Sequence, residues 1–244
     1  MELSTTALAV LALTAFFTGV SKTGFPGLGI VFVVLVPLVM PAKISTGYIL
    51  PFLLFGDILA LAVWRKAAIW SIIWMLLPTM CIGIVAGYFV MDMVDDAIYS
   101  RVLGSAVLIL VALEWIRKRF ALAIPVGKPA IGYGVGFTAG VLTMLANAAG
   151  PLTTIYFLAM NISKEKFIGT RAWQAMITNL FKVPFSMSLG LITPESLKVN
   201  LMMIPFVILG GLAGFYLVRK VSNSVFEILM RAFAFLGGLK LFFQ

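Results

Sequence analysis

Apolar runs as long as a bilayer is thick constrain this chain more than any other feature. Residues 69–91 contain no charged side chain. A hydrocarbon core of roughly 30 Å is crossed by about 20 helical residues, so each such run is long enough to span. With no water to satisfy backbone N–H and C=O groups there, a spanning segment is either a helix or part of a closed barrel. Barrel strands alternate polar and apolar positions, and residues 69–91 do not, so an all-α transmembrane bundle is expected. Composition agrees: 62% of the 244 residues are hydrophobic and only 11% charged, where a soluble domain carries roughly a quarter charged.

Several function classes are excluded by what is missing. There is no histidine, and the one cysteine, Cys81, sits inside an apolar run. Disulfides, thiolate or histidine metal sites and His-based catalytic sets are therefore not expected, and no cofactor is implied. The net charge of +9 sits mainly in short loops, where it orients spans, so nucleic acid is not an expected partner. Glu2 precedes the first apolar stretch with no basic cluster, which predicts a retained first span over a cleaved signal peptide.

The pattern predicts about ten helical segments, near 5–21, 27–40, 43–64, 69–91 and 97–115, then 130–146, 150–161, 168–189, 197–218 and 224–242. Basic loops (Arg65-Lys66; Arg117, Lys118, Arg119 and Lys128; Lys164 and Lys166; Arg219-Lys220) alternate with loops holding Asp92, Asp95, Asp96 or only Glu195. Basic loops belong in the cytoplasm, which places both termini outside a cell membrane. Segments 27–40 and 150–161 reach only about 21 and 18 Å at 1.5 Å per residue. Each either crosses a thinned region or forms one arm of a re-entrant hairpin.

Residues 76–90 align with 203–217, with Pro78, Gly83, Ala86 and Gly87 falling on Pro205, Gly210, Ala213 and Gly214. Shared small-residue packing motifs could produce the same match. The order of segments also corresponds, a short interrupted pair preceding three longer segments in 1–120 and again in 121–244. Five segments per half is odd, so the halves would be inverted, with a site at the midplane where the two interruptions meet.

The first interruption, Gly19-Val-Ser-Lys-Thr-Gly-Phe-Pro-Gly-Leu-Gly29, combines a broken helix with Lys22. Lys22, Thr23, Gly24 and Gly27 could cradle an anion at a positive helix end, or Lys22 could snorkel beside packing glycines. In the second, Thr143-Met-Leu-Ala-Asn-Ala-Ala-Gly-Pro-Leu-Thr153, Asn147 either caps the next helix or contacts a solute. Arg171, Gln174, Thr178 and Lys182 recur at helical spacing on one face, with Asn179 beside them. Charges inside a span cost about 2.5–3.5 kcal/mol each and usually face a cavity or a partner; Arg171 alternatively snorkels to the interface. Asp57, deep in the third segment, pairs with Lys22 or Lys182, or carries a coupling proton. The balance of Lys, Arg, Gln, Asn and Thr against one acid suits a small anion.

Taken with Trp64-Arg-Lys and Gly169-Thr…Asn179-Leu-Phe-Lys-Val-Pro184, these motifs resemble the TauE/SafE sulfite exporter family (TSUP) over essentially the whole chain, in a branch with a lysine in the first helix pair. The resemblance implies outward transport of sulfite, sulfoacetate or other organosulfonates. With no nucleotide-binding motif, secondary transport by alternating access is expected. An anion channel, or a carrier for another small anion such as a carboxylate, would use the same lysines. The usual catalytic sets are absent, so an enzyme is not expected. The expected partners are a small anion and lipid.

Overall fold

A computed structural model describes residues 3–24, 34–120 and 128–217, and every regular element among them is helical. Eight α-helices occur: α1 (Thr5–Thr23), α2 (Ala42–Trp64), α3 (Trp70–Met93), α4 (Asp96–Phe120), α5 (Pro129–Ala146), α6 (Ala149–Ala159), α7 (Lys164–Ser188) and α8 (Pro194–Leu217). Short 3-10 turns lie at Val36–Leu38 and Arg65–Ala67. The first half of the expected segment 27–40, with Gly27, and the whole of 224–242 lie outside the described residues.

The helix ends follow local chemistry. Ser4 accepts the Ala7 N–H at 3.2 Å and starts α1. Thr193 and Ser196 exchange side-chain-to-backbone bonds of 2.9 and 3.1 Å around Pro194, a reciprocal cap that starts α8 three residues before the predicted 197. Likewise α7 begins at Lys164, not 168, because Ser163 is extended at φ −62° and ψ 155° and Glu165 favours a first turn. Gly190, at φ +67°, ends α7 while the Leu191 N–H returns to the Ser186 carbonyl at 3.0 Å.

Among the described residues, five elements (Thr5–Thr23, Ala42–Ala67, Trp70–Met93, Pro129–Ala146 and Pro194–Tyr216) are long and apolar enough to cross a membrane. The 11 residues of α6 reach only about 16 Å, too short to cross a full bilayer. Polarity is inside out. Trp74, Ile82, Phe89, Leu201, Met202 and Leu212 are exposed, whereas Asp57, Gln174, Thr178, Asn179 and Lys182 are buried. In water this distribution would be ruinous; in lipid it is what a multi-pass protein needs.

Two helix pairs touch backbone to backbone. In α3–α5, a Cβ on Gly83 would strike the Phe137 carbonyl and one on Gly140 the Met80 carbonyl. In α1–α8, a Cβ on Gly210 would strike the Phe16 carbonyl and one on Gly19 the Val207 carbonyl. Along α3–α5 the contacts run from Gly136 against Leu76 to Gly87 against Met144, and along α1–α8 from Gly19 against Val207 to Gly24 against Gly214, so each pair is parallel. By contrast α2 and α7 run antiparallel: Gly47 lies against Leu191 just beyond α7, Asp57 bonds Asn179, and Gly169 lies against the Trp64 carbonyl. The polar interior sits between these two layers, on α2 and α7.

Candidate functional site

The last turn of α1 delivers Lys22 to the interior. Its Nζ donates to Asp57 Oδ1 at 2.6 Å, and the absent side chain of Gly56 leaves room for the lysine stem. Asn179 Nδ2 donates to Asp57 Oδ2 at 2.7 Å. Both carboxylate oxygens are thus engaged, and of the two pairings open to Asp57 the one formed is with Lys22. This is the only salt bridge among the described residues.

One turn further along α7, Lys182 is 1% exposed. Its Nζ donates to Thr143 Oγ1 at 3.3 Å and to Asn147 Oδ1. Both partners are neutral. Asn147 follows α5 in the left-handed region at φ 51°, a conformation asparagine tolerates better than most residues. Its N–H returns to the Thr143 carbonyl, and its Nδ2 donates to the Thr46 carbonyl of α2 at 3.1 Å. Asn147 therefore ends α5 rather than only capping α6, and its side chain ties α5, α7 and α2 together.

Arg171 comes from the first half of α7. Its guanidinium lies 2.9 Å from where a Cβ on Gly150 would stand, so the missing side chain leaves room for it there. Gly150 is in the first turn of α6, where unpaired N–H groups carry the positive end of the helix dipole. Two positive groups converge on one spot, and an anion between them is stabilised by both. Gln174 donates to Met80 Sδ at 3.3 Å, and Thr178 returns its hydroxyl to the Gln174 carbonyl at 2.9 Å.

A cavity of about 50 Å³ lies among these groups, walled by Thr18, Lys22, Thr143, Asn147, Gly150, Arg171, Gln174 and Asn179. One water needs roughly 10–15 Å³ measured in this way, so the space suits a few waters or one small ion. A second void, bordered by Lys22, Thr23, Gly24, Asp57, Phe167, Ile168 and Arg171, lies on the other side of Arg171 and Lys22. Of the residues expected at the site, Lys22, Asn147, Arg171, Gln174 and Asn179 line the main cavity. Lys182 lies behind its Thr143 and Asn147 walls. Asp57 and Gly24 border the second void, as does Thr23, whose hydroxyl bonds the Gly19 and Gly211 carbonyls at 3.0 and 2.9 Å. Thr18 was not expected. Its spacing from Thr14 and Lys22, one turn each way on the buried face of α1, is the signal that marks it.

Charge does not balance around the main cavity. Lys22 and Asp57 cancel, and among the described residues neither Arg171 nor Lys182 forms a salt bridge of its own. An apolar exterior around a small cation-lined cavity is that of a multi-pass membrane protein, and a family match adds the transporter class. Residues 11–241 match the family described as sulfite exporter TauE/SafE, and the chain belongs to that family. No curated protein and no solved structure matches the chain.

Proposed function

We propose that this protein exports a small sulfur-containing anion (sulfite, sulfoacetate or another organosulfonate) by exposing the Arg171–Lys182 cavity alternately to the two sides of a cell membrane. The observation that carries this reading is a pair of cations, Lys182 buried and Arg171 half-buried, neither of which forms a salt bridge. A buried, unpaired cation costs several kcal/mol, and a bound sulfonate or sulfite oxygen relieves that cost. Lys22 contributes its neutralised pair with Asp57 to the wall. A proton on Asp57 would release Lys22, which makes this carboxylate the coupling group of the proposal.

Alternating access rests on two inverted halves, 1–120 and 121–244, within about ten segments. Matched contacts support it. Replacing Phe16 and Gly19 by Phe137 and Gly140, and Val207 and Gly210 by Met80 and Gly83, turns the α1–α8 contacts into those of α3–α5. The same exchange relates Gly47 to Gly169 and Asp57 to Asn179, which bond each other. Equivalent helices α2 and α7 are antiparallel, as an axis in the membrane plane requires. Basic loops on the cytoplasmic side then put both termini outside.

A thermal-shift series on the purified protein with sulfite, sulfoacetate, taurine, sulfate and short carboxylates tests the substrate class. Selective binding raises the melting temperature. The proposal expects stabilisation by sulfite or a sulfonate and none in Arg171→Ala. Equal stabilisation by carboxylates, or an undiminished shift in Arg171→Ala, overturns it.

A further inference from the structure

Asn147 touches both the cavity and the layer of contacts that closes one end of the bundle. That end carries the Asp92, Asp95 and Asp96 loop. There Asp96 accepts the Ala42 and Lys43 N–H groups at 3.2 and 2.9 Å, Lys43 Nζ donates to the Val94 carbonyl, and the Tyr99 hydroxyl donates to the Leu145 carbonyl. Leu145 is two residues before Asn147. These bonds hold the starts of α2 and α4 against the end of α5. Asn147 adds the bond nearest the cavity, from Nδ2 to the Thr46 carbonyl. Its other amide atom accepts Lys182, so the asparagine is held in place by a cation.

We infer that Asn147 couples anion occupancy to opening at the acidic-loop end, a role that rests on the proposed anion site. Lys182 bonds only neutral oxygens. An anion reaching the cavity beside Arg171 is a stronger acceptor, since charge-assisted bonds of this kind are roughly twice as strong as neutral ones. Once Lys182 turns to the anion, Asn147 loses the bond that fixes its amide, and the Thr46 contact between α5 and α2 loosens. The anion thus binds the opened state better than the closed one, the differential affinity that any ligand-driven shift requires.

Labelling of a single cysteine tests this. In a Cys81→Ser background, Ala148→Cys places a reporter on the cavity wall, where the native alanine is 1% exposed. A membrane-impermeant maleimide is applied to sealed vesicles from the acidic-loop side, with sulfoacetate as the probe because sulfite consumes the reagent. The parent protein is expected to label slowly and about fivefold faster or more with sulfoacetate. Asn147→Gly keeps the left-handed backbone but loses both side-chain bonds, so it labels fast without anion and does not respond to it. Asn147→Asp holds Lys182 by an ion pair and offers no donor to Thr46, so its labelling rate does not depend on sulfoacetate. A parental rate in Asn147→Gly overturns the latch, whatever the anion does. If Asn147→Gly does not fold, a parent that is thermally stabilised by sulfoacetate yet labels no faster with it overturns the latch as well. Fast labelling of Asn147→Gly without any anion stabilisation of the parent overturns the anion-site reading and leaves the closing role of Asn147 intact.

Discussion

Two lysines reach the same interior and meet opposite fates. Lys22, at the end of α1, finds the carboxylate of Asp57 at 2.6 Å, and Asn179 completes that carboxylate's bonding. Lys182, in α7, finds only a hydroxyl and an amide oxygen. The first cation belongs to the architecture, since it neutralises a buried acid and joins α1 to α2. In the proposed function the second is the one available to a ligand. On that proposal, identical side chains in one interior divide into a structural charge and a functional one, according to whether an acid pairs with them.

The largest effect should come from breaking the structural pair. Lys22→Met leaves Asp57 buried without its cation, expected to destabilise the fold by about 3–5 kcal/mol, read as a fall in melting temperature in detergent. A melting temperature like the wild type's would show that Lys22 is not structurally paired. Adding Asp57→Asn to Lys22→Met should recover most of that loss, because removing both partners leaves no uncompensated charge. If the double variant is no more stable than Lys22→Met alone, the pair does not act as a unit.

Lys182→Met should behave differently: it leaves the Asn147 and Thr143 oxygens unpaired but removes an unpaired buried charge, so stability should change little or rise while anion binding weakens about tenfold or more. Isothermal titration with sulfoacetate separates the two effects, and a Lys182→Met protein with full affinity would erase the distinction between the lysines. The smallest effect belongs to Asn179→Ala, which removes one hydrogen bond from Asp57 and should destabilise by about 1–2 kcal/mol. The change reads as a modest drop in melting temperature, and no drop would mean that this bond contributes nothing.

The comparison also marks how far sequence reasoning reaches. Spans 69–91 and 43–64 are legible because lipid demands long apolar runs, and α3 and α2 lie within a few residues of them. The α7 stripe is legible from its helical period, and Gln174, Thr178 and Lys182 are indeed buried. Which lysine takes Asp57 is not legible, since separation along the chain does not say which helices approach each other. The choice depends on the close approach of α1 to α2 at Gly56. The Thr46 carbonyl held by Asn147 is invisible for another reason: a backbone acceptor carries no residue-type signal. The ends of α7 and α8 shifted because Ser163, Thr193 and Ser196 set them locally, outside the apolar pattern that defined the segments.

The central claim, that Arg171 and Lys182 form an anion site, is tested most directly by sulfoacetate counterflow in proteoliposomes containing wild type and the Arg171→Ala/Lys182→Met protein. The account expects saturable exchange by the wild type and none above protein-free liposomes for the folded double variant. Undiminished exchange by the double variant would contradict it.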